Sequence, residues 1–114
     1  MLAHVLLAQP RLARIVHTYY AALPFPIKGG KLYLRNINPL LRYHYPGLTG
    51  IKTGETNAAG KCFVASAERH GVRLAAVLLA SPAPANQART LLDSAFENVY
   101  HQARVTAEPL PPDA

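Results

Sequence analysis

Residues 61–80 read KCFVASAERHGVRLAAVLLA, and this stretch decides the fold. Two apolar runs rich in β-forming residues, Lys61–Glu68 and Val72–Ala80, flank the polar triplet Arg69-His70-Gly71. This arrangement predicts a β-hairpin. Because both runs are apolar on both faces, we expect them at the centre of an antiparallel sheet that is covered on two sides.

The residues before the hairpin predict short elements. Apolar residues at helical spacing start at Leu2, and the pattern resumes after Pro10, whose missing N–H costs little in the first turn of a helix. We therefore expect two short helices. Thr18–Ala22 suits a strand, and Lys31–Asn36 alternates apolar with polar residues, which predicts a half-buried strand.

Asn38–Leu41 can form one helical turn, which Pro46-Gly47 ends, and Gly50–Thr53 suits a strand. After the hairpin, apolar residues of Asn86–Gln102 fall on a single broad stripe, the pattern of an amphipathic helix. The Pro-rich residues 108–114 predict a flexible tail.

Together these elements define an α/β class in the broad sense (α+β). We expect an antiparallel sheet with the hairpin at its centre, short helices at the N-terminus and a C-terminal helix packed on the sheet. A chain of 114 residues has the size of one domain or of part of one, which we place at residues 1–107. The C-terminal helix covers one face of the hairpin, and little else in the chain is large enough to cover the other.

Charge is distributed unevenly along the chain. The net charge is +6, and residues 1–54 hold seven basic side chains and no acid. Such a one-signed half fits an anionic partner, or balancing acids on protein outside this chain. The basic residues are scattered singly and no aromatic-basic signature accompanies them, so we expect no nucleic-acid partner.

Cofactor and membrane signals are also missing from the sequence. The single Cys62 excludes an internal disulfide and suits a small core residue, and the five histidines lack metal-ligand spacing, so we expect neither metal nor cofactor. No segment is apolar over a membrane-spanning length. Met1–Ala8 lacks a basic start and a cleavage site, so we expect no signal peptide in this chain.

Residues 50–60, GIKTGETNAAG, carry the chemistry that suits a peptide's anionic end. Lys52 supplies a point charge with three donors, and Thr53 supplies a hydroxyl. Adjacent side chains on a strand point to opposite faces, so both reach one site only where the strand edges a cleft. Gly54 lets a ligand backbone approach, and a free strand edge can pair with an extended peptide.

An ordered string of residues resembles the C-terminal part of the catalytic domain of serine-type D-alanyl-D-alanine carboxypeptidases, the low-molecular-mass penicillin-binding proteins. It consists of Leu34–Leu41, Tyr45–Gly54 and Thr56–Gly60, and it continues into the hairpin and the last helix. The resemblance implies a partial β-lactamase/transpeptidase-like fold. It implies that Lys52, Thr53 and Gly54 bind substrate and that the backbone N–H of Glu55 helps form an oxyanion hole.

The same resemblance implies an extracytoplasmic hydrolase of cell-wall synthesis, whose partner is a peptidoglycan stem peptide or a β-lactam. The family's nucleophile lies in Ser-x-x-Lys and its second motif is Ser-x-Asn. The third residue after Ser66, Ser81 and Ser94 is Arg69, Pro84 and Glu97 respectively, and Asn follows none of the three serines at the second position.

We therefore assign no catalytic residue and expect a fragment that is inactive alone, and whether the chain acts as an enzyme stays open. One alternative is a module that binds acyl-D-Ala-D-Ala or a β-lactam non-covalently. A basic binder of nucleic acid or of an anionic surface ranks last. We expect the uncovered sheet face to require the missing N-terminal half of the domain or self-association.

Overall fold

A computed structural model describes residues 1–25 and 29–107, with side chains described up to residue 103. In this part of the chain the elements alternate between helices and two antiparallel sheets. In order they are α1 (Leu2–Leu7), α2 (Pro10–His17), β1 (Tyr20–Pro24), β2 (Lys31–Arg35), α3 (Pro39–Arg42), β3 (Leu48–Thr56), β4 (Gly60–Arg69), β5 (Val72–Leu78) and α4 (Pro84–Ala107). The α+β class is confirmed. The tail predicted at residues 108–114 lies outside the described residues.

The larger sheet has the strand order β3-β4-β5, so the predicted hairpin is confirmed and β4 lies at the centre. Phe63 pairs with Leu78 and Ala65 with Ala76 across the hairpin. The turn uses His70 and Gly71, both with positive φ. Because these side chains sit in register, one face of the hairpin presents a continuous apolar surface.

The C-terminal helix α4 covers that face. It begins two residues before the predicted start, with Pro84 in the first helical position. Its apolar stripe and the hairpin share one buried cluster with α3 and the loop that follows it. The buried members are Leu40, Leu41, Tyr45, Leu48, Phe63, Ala65, Ala67, Ala76, Leu78, Ala88, Leu92 and Phe96.

The opposite face of the hairpin is covered less completely. Val77 is 53% exposed, and Leu79, just after β5, is 76% exposed. Helix α2 packs against β3. The contact is close at the buried Gly50, where a Cβ would lie only 3.0 Å from Cγ2 of Val16. Within the described residues only one face of the hairpin is fully covered, which agrees with the expectation that little besides the C-terminal helix is large enough to cover the sheet.

Among the residues that the structure describes, the smaller sheet contains β1 and β2 alone. The strand predicted at Lys31–Asn36 exists, but its predicted half-burial is wrong, since all five residues of β2 are exposed. A two-stranded ribbon buries a face only when another layer packs on it. Asn36 anchors the end of this ribbon, because its amide donates to the carbonyl oxygens of Val16 and Thr18.

Candidate functional site

The residues Lys52, Thr53 and Gly54 lie in the second half of β3. This strand pairs with β4 along one side, with Lys52 opposite Val64 and Thr53 opposite Phe63. Within the described residues no strand pairs with its other side, so β3 is an edge strand. Its free backbone N–H and C=O groups can pair with an extended peptide.

A cleft of about 420 Å³ lies beside this part of β3. Its walls come from β3, β4, the residues that lead into α3 and the start of α4. They are Ile37, Pro39, Lys52, Thr53, Gly54, Glu55, Lys61, Cys62, Phe63 and Pro84. Lys52 and Thr53 line the same cleft although they are neighbours on a strand. The Lys52 ammonium donates a hydrogen bond to the carbonyl oxygen of Thr53. This bond holds the positive charge close to the backbone of β3.

Space is open at Gly54. A Cβ built on this residue would have no heavy atom within 4 Å beyond its chain neighbours. The glycine is therefore not required by packing, and the opening leaves room for a ligand backbone at this point. Cys62, which pairs with Gly54, is half-buried and lines the cleft. The expectation that Cys62 is a core residue is therefore wrong.

The charges in the cleft are unbalanced. Lys52, Glu55 and Lys61 all line it, and Glu55 and Lys61 occupy paired positions on β3 and β4. The ion pairs between described side chains are Arg69 with Asp93 and Arg73 with Glu68, so neither lysine has an acidic partner there. Two ammonium groups against one carboxylate give the cleft a positive character that favours an anionic ligand.

The turn before β3 is fixed by a tight backbone approach at Gly47. Gly47 has φ 78°, and its carbonyl accepts a 2.8 Å hydrogen bond from the N–H of Glu68. A Cβ on Gly47 would lie 2.3 Å from the carbonyl oxygen of Glu68. Only glycine fits this position. The close approach fixes the start of β3 relative to the end of β4.

A cluster around Arg69 holds the same turn to α4. The Arg69 guanidinium lies over the rings of Tyr45 and Phe96, with its carbon 4.8 Å and 4.5 Å from the ring centroids. Its Nε donates to the carbonyl oxygen of Pro46 at 3.0 Å, and Asp93 is 3.7 Å away. The cluster joins the end of β4, the turn before β3 and α4, and so fixes the frame of the cleft.

Tyr45 is the titratable group that this cluster perturbs. Burial of the phenol, aided by its hydrogen bond to the Asp93 carboxylate, raises the pKa of Tyr45 from 10.0 to about 12. The phenol therefore stays protonated and acts as a donor at neutral pH. Its role in this geometry is to hold the turn, since Tyr45 does not line the cleft beside β3.

Sequence reasoning placed Lys52, Thr53, Gly54 and Glu55 together, and the fold adds Lys61 and Cys62 to the same cleft. Sequence reasoning missed Lys61 and Cys62 in this cleft, and it also missed the cluster of Tyr45, Arg69 and Asp93. These residues are far apart in the chain and follow no motif spacing, so the sequence offered no signal that brings them together.

Two further features bear on function. Within the described ranges, no group of three His, Cys, Asp or Glu side chains could hold a metal ion. None of the helices in this part of the chain has the length and apolarity needed to cross a membrane.

The two antiparallel sheets with their helices match solved structures of the penicillin-binding-protein type. The chain belongs to the D-alanyl-D-alanine carboxypeptidase family, whose model matches residues 2–83. The family resemblance and the fold class expected from the sequence are thereby confirmed.

Individual relatives agree with this assignment. The D-alanyl-D-alanine carboxypeptidase DacB2 of Mycobacterium tuberculosis is 38% identical over 96 residues, covering 79% of this chain and 32% of the relative. A crystal structure of a D-alanyl-D-alanine carboxypeptidase from the same organism superposes with a TM-score of 0.72 at 37% identity, covering 83% of this chain and 37% of that one.

Penicillin-binding protein D2 of Listeria monocytogenes, solved in its ampicillin-bound form, gives a TM-score of 0.58 at 29% identity, over 85% of this chain and 37% of that one. The chain thus spans only about a third of the length of each of these three proteins.

Proposed function

We propose that this chain supplies the substrate-docking strand of a D-Ala-D-Ala carboxypeptidase that acts on peptidoglycan stem peptides outside the cytoplasmic membrane. One observation carries the proposal: Lys52 and Thr53 line the same positively charged cleft along the unpaired edge of β3. Family membership makes acyl-D-Ala-D-Ala the ligand of choice for such a cleft.

Each residue has a role that its chemistry suits. The Lys52 ammonium attracts the terminal carboxylate, and the Thr53 hydroxyl donates a hydrogen bond to it. The edge of β3 pairs with the extended peptide, and the opening at Gly54 admits its backbone. The N–H of Glu55 faces the developing oxyanion, a contact typically worth about 3 kcal/mol in the transition state.

The attacking hydroxyl comes from outside this chain in the proposal. Ser66 is buried and its hydroxyl donates to the carbonyl oxygen of Leu74. Ser81 is buried and bonds to the side chain of Gln87, and Ser94 lies on α4. None of the three lines the cleft beside β3, and none is followed by the lysine that activates the family's nucleophile.

The less covered sheet face suits the same arrangement. Val77 and Leu79 are 53% and 76% exposed, so full burial would stabilise each by at most about 1.5–3 kcal/mol. The remaining part of a carboxypeptidase domain would provide that cover and the nucleophile together. Self-association of the chain is the alternative source of cover.

A non-covalent binding module is the second candidate, favoured by a cleft that is formed without any serine. Both candidates predict that the chain binds an acetylated D-Ala-D-Ala peptide. They differ in whether the chain, when supplied with a segment that carries Ser-x-x-Lys, reacts covalently with penicillin.

The experiment uses the purified chain, a fluorescent penicillin and N-acetyl-Ala-D-Ala-D-Ala. We expect no covalent adduct. We also expect peptide affinity to fall about 10-fold to 150-fold in Lys52→Met, because a hydrogen bond to a charged group contributes roughly 1.5–3 kcal/mol. Lys31→Met removes the same charge from exposed β2 and should leave affinity unchanged.

A serine-linked penicillin adduct on the chain alone would contradict the assignment of the nucleophile to other protein. Equal affinity losses in the Lys52 and Lys31 variants would contradict the docking role of Lys52.

A further inference from the structure

A second cleft, of about 540 Å³, lies between α4 and residues 40–46, which lead from α3 towards β3. Among the described residues it shares no lining side chain with the cleft beside β3, so the docking of a peptide there gives it no task. Its walls carry two guanidinium groups and one carboxylate, from Arg69, Arg89 and Asp93. Opposite charges on the wall of one cleft suit a ligand that itself carries both signs.

Arg89 supplies the available cation. Its side chain is exposed on α4, and its guanidinium donates to the side-chain oxygen of Asn86 at 3.3 Å. Within the described part of the chain Arg89 forms no ion pair. A guanidinium presents five N–H donors in a fixed fork that matches a carboxylate. With one amide as its partner, Arg89 keeps most of these donors for a ligand.

Asp93 supplies an anion one helical turn further along α4. Residues four apart on a helix are neighbours on one face, yet Arg89 and Asp93 do not pair with each other. The Tyr45 phenol donates to Oδ1 of Asp93, and a guanidinium nitrogen of Arg69 lies 3.7 Å from the same oxygen. Because both contacts fall on one oxygen, Oδ2 can accept from a cationic group of a ligand.

The rest of the cleft suits an apolar group. Leu40, Pro46 and Ala85 line it, together with the exposed ring of Tyr43. A small-molecule site combines apolar contacts, which bury most of the ligand, with a few polar groups that fix its orientation. An α-amino acid with an apolar side chain carries a carboxylate, an ammonium and an apolar body on a single carbon atom, and so matches this wall.

We propose that this cleft binds a free amino acid with an apolar side chain. Arg89 donates paired hydrogen bonds to its carboxylate, and Asp93 accepts from its ammonium. The apolar side chain packs against Leu40, and Arg69 keeps the Asp93 carboxylate in place. The site does not depend on the peptide-docking proposal, so each can fail alone.

The test uses ligand-observed NMR of the purified chain with leucine, 4-methylpentanoate and 3-methylbutylamine. The second compound is leucine without its ammonium, and the third is leucine without its carboxylate. We expect leucine to bind in the millimolar range, as its small size allows. Each analogue should bind about threefold to fivefold more weakly, the range of an exposed ion pair. Equal affinity of leucine and either analogue would overturn the proposal.

Two variants separate the two charges. Arg89→Met should lower the affinity for leucine by about threefold to fivefold and leave that for 3-methylbutylamine unchanged, because this compound has no carboxylate. Asp93→Asn should lower the affinity for leucine but not that for 4-methylpentanoate, which has no ammonium. A partly folded sample lowers both affinities together, so their ratio still tests the pairing. An unchanged ratio in either variant would refute the assigned contact.

Arg11→Met is the matched control, because it removes one guanidinium from an exposed position of α2 that does not line the cleft. It should bind all three compounds as the parent chain does. If it loses leucine as Arg89→Met does, the effect belongs to net charge and the role of Arg89 is overturned.

Competition separates this site from the docking cleft. An excess of N-acetyl-Ala-D-Ala-D-Ala should not displace leucine, since the two clefts have different walls. Displacement would place leucine beside β3 and overturn the second site, whereas a failure of the peptide to bind would overturn the docking proposal alone.

Discussion

Replacing Gly47 by alanine tests the turn that sets β3 in place. The structure implies two separate costs. A residue other than glycine at φ 78° costs about 1 kcal/mol. In addition, the new Cβ would lie 2.3 Å from the carbonyl oxygen of Glu68, which is backbone and yields only if β3 and β4 shift. Overpacking of this kind typically costs about 1–3 kcal/mol.

Gly71 provides a matched control. It has the same φ of 78°, but a Cβ built on it would meet no heavy atom within 4 Å. Gly71→Ala therefore carries only the conformational cost. The difference between the two variants isolates the clash at Glu68, and we expect it to be about 1–3 kcal/mol.

Hydrogen exchange measures this difference even if the chain self-associates. The N–H of Glu68 donates to the Gly47 carbonyl at 2.8 Å, so its exchange rate reports the opening of this contact. Relative to Gly71→Ala, we expect Gly47→Ala to speed exchange at Glu68 by about 5-fold to 150-fold. Equal exchange rates at Glu68 in the two variants would refute the close approach of the turn to β4.

Two further predictions concern the frame of the cleft. The folded pKa of Tyr45, about 12, exceeds its ordinary value of 10.0, so the stability from its protonated phenol is present below pH 10 and is lost as the pH rises towards 12. Urea unfolding measures this effect. Between pH 8 and pH 12 the free energy of unfolding of the parent chain should fall by about 1–2 kcal/mol more than that of Tyr45→Phe. Equal pH profiles for the two chains would contradict the raised pKa of Tyr45. Phe96→Ala should lower the free energy of unfolding by about 3–5 kcal/mol, because Phe96 is 1% exposed and packs between the sheet and Arg69. The control Leu91→Ala should lower it by less than about 1 kcal/mol, because Leu91 on the same helix is 51% exposed. Similar denaturation midpoints for these two variants would show that α4 packs on the sheet by a different face.

Local elements followed from the sequence because their signals are local. Pro10 starts α2, and Asn38 caps α3 by accepting hydrogen bonds from the N–H groups of Leu40 and Leu41. The hairpin followed from two apolar runs on either side of a polar triplet, and α4 followed from helical periodicity. The strand predicted at Gly50–Thr53 exists as well, although it is longer and runs from Leu48 to Thr56.

Burial was harder to predict, since it depends on what packs against an element. The alternation in β2 suits a half-buried strand, yet every residue of β2 is exposed because it pairs only with β1. Cys62 sits in an apolar run, yet it lines a cleft because its partner on the edge strand is Gly54, which has no side chain.

The sequence by itself determined the family, because an ordered string of residues can be read along the chain without any knowledge of the fold. It also predicted Lys52, Thr53 and Gly54 as the substrate-binding residues from a short motif. Only the tertiary structure decided that β3 is an edge strand, that Lys61 joins Lys52 in one cleft, and that Arg69 fastens the turn before β3 to α4. These relations depend on strand order and register, which bring together residues that lie apart in the chain and share no spacing rule.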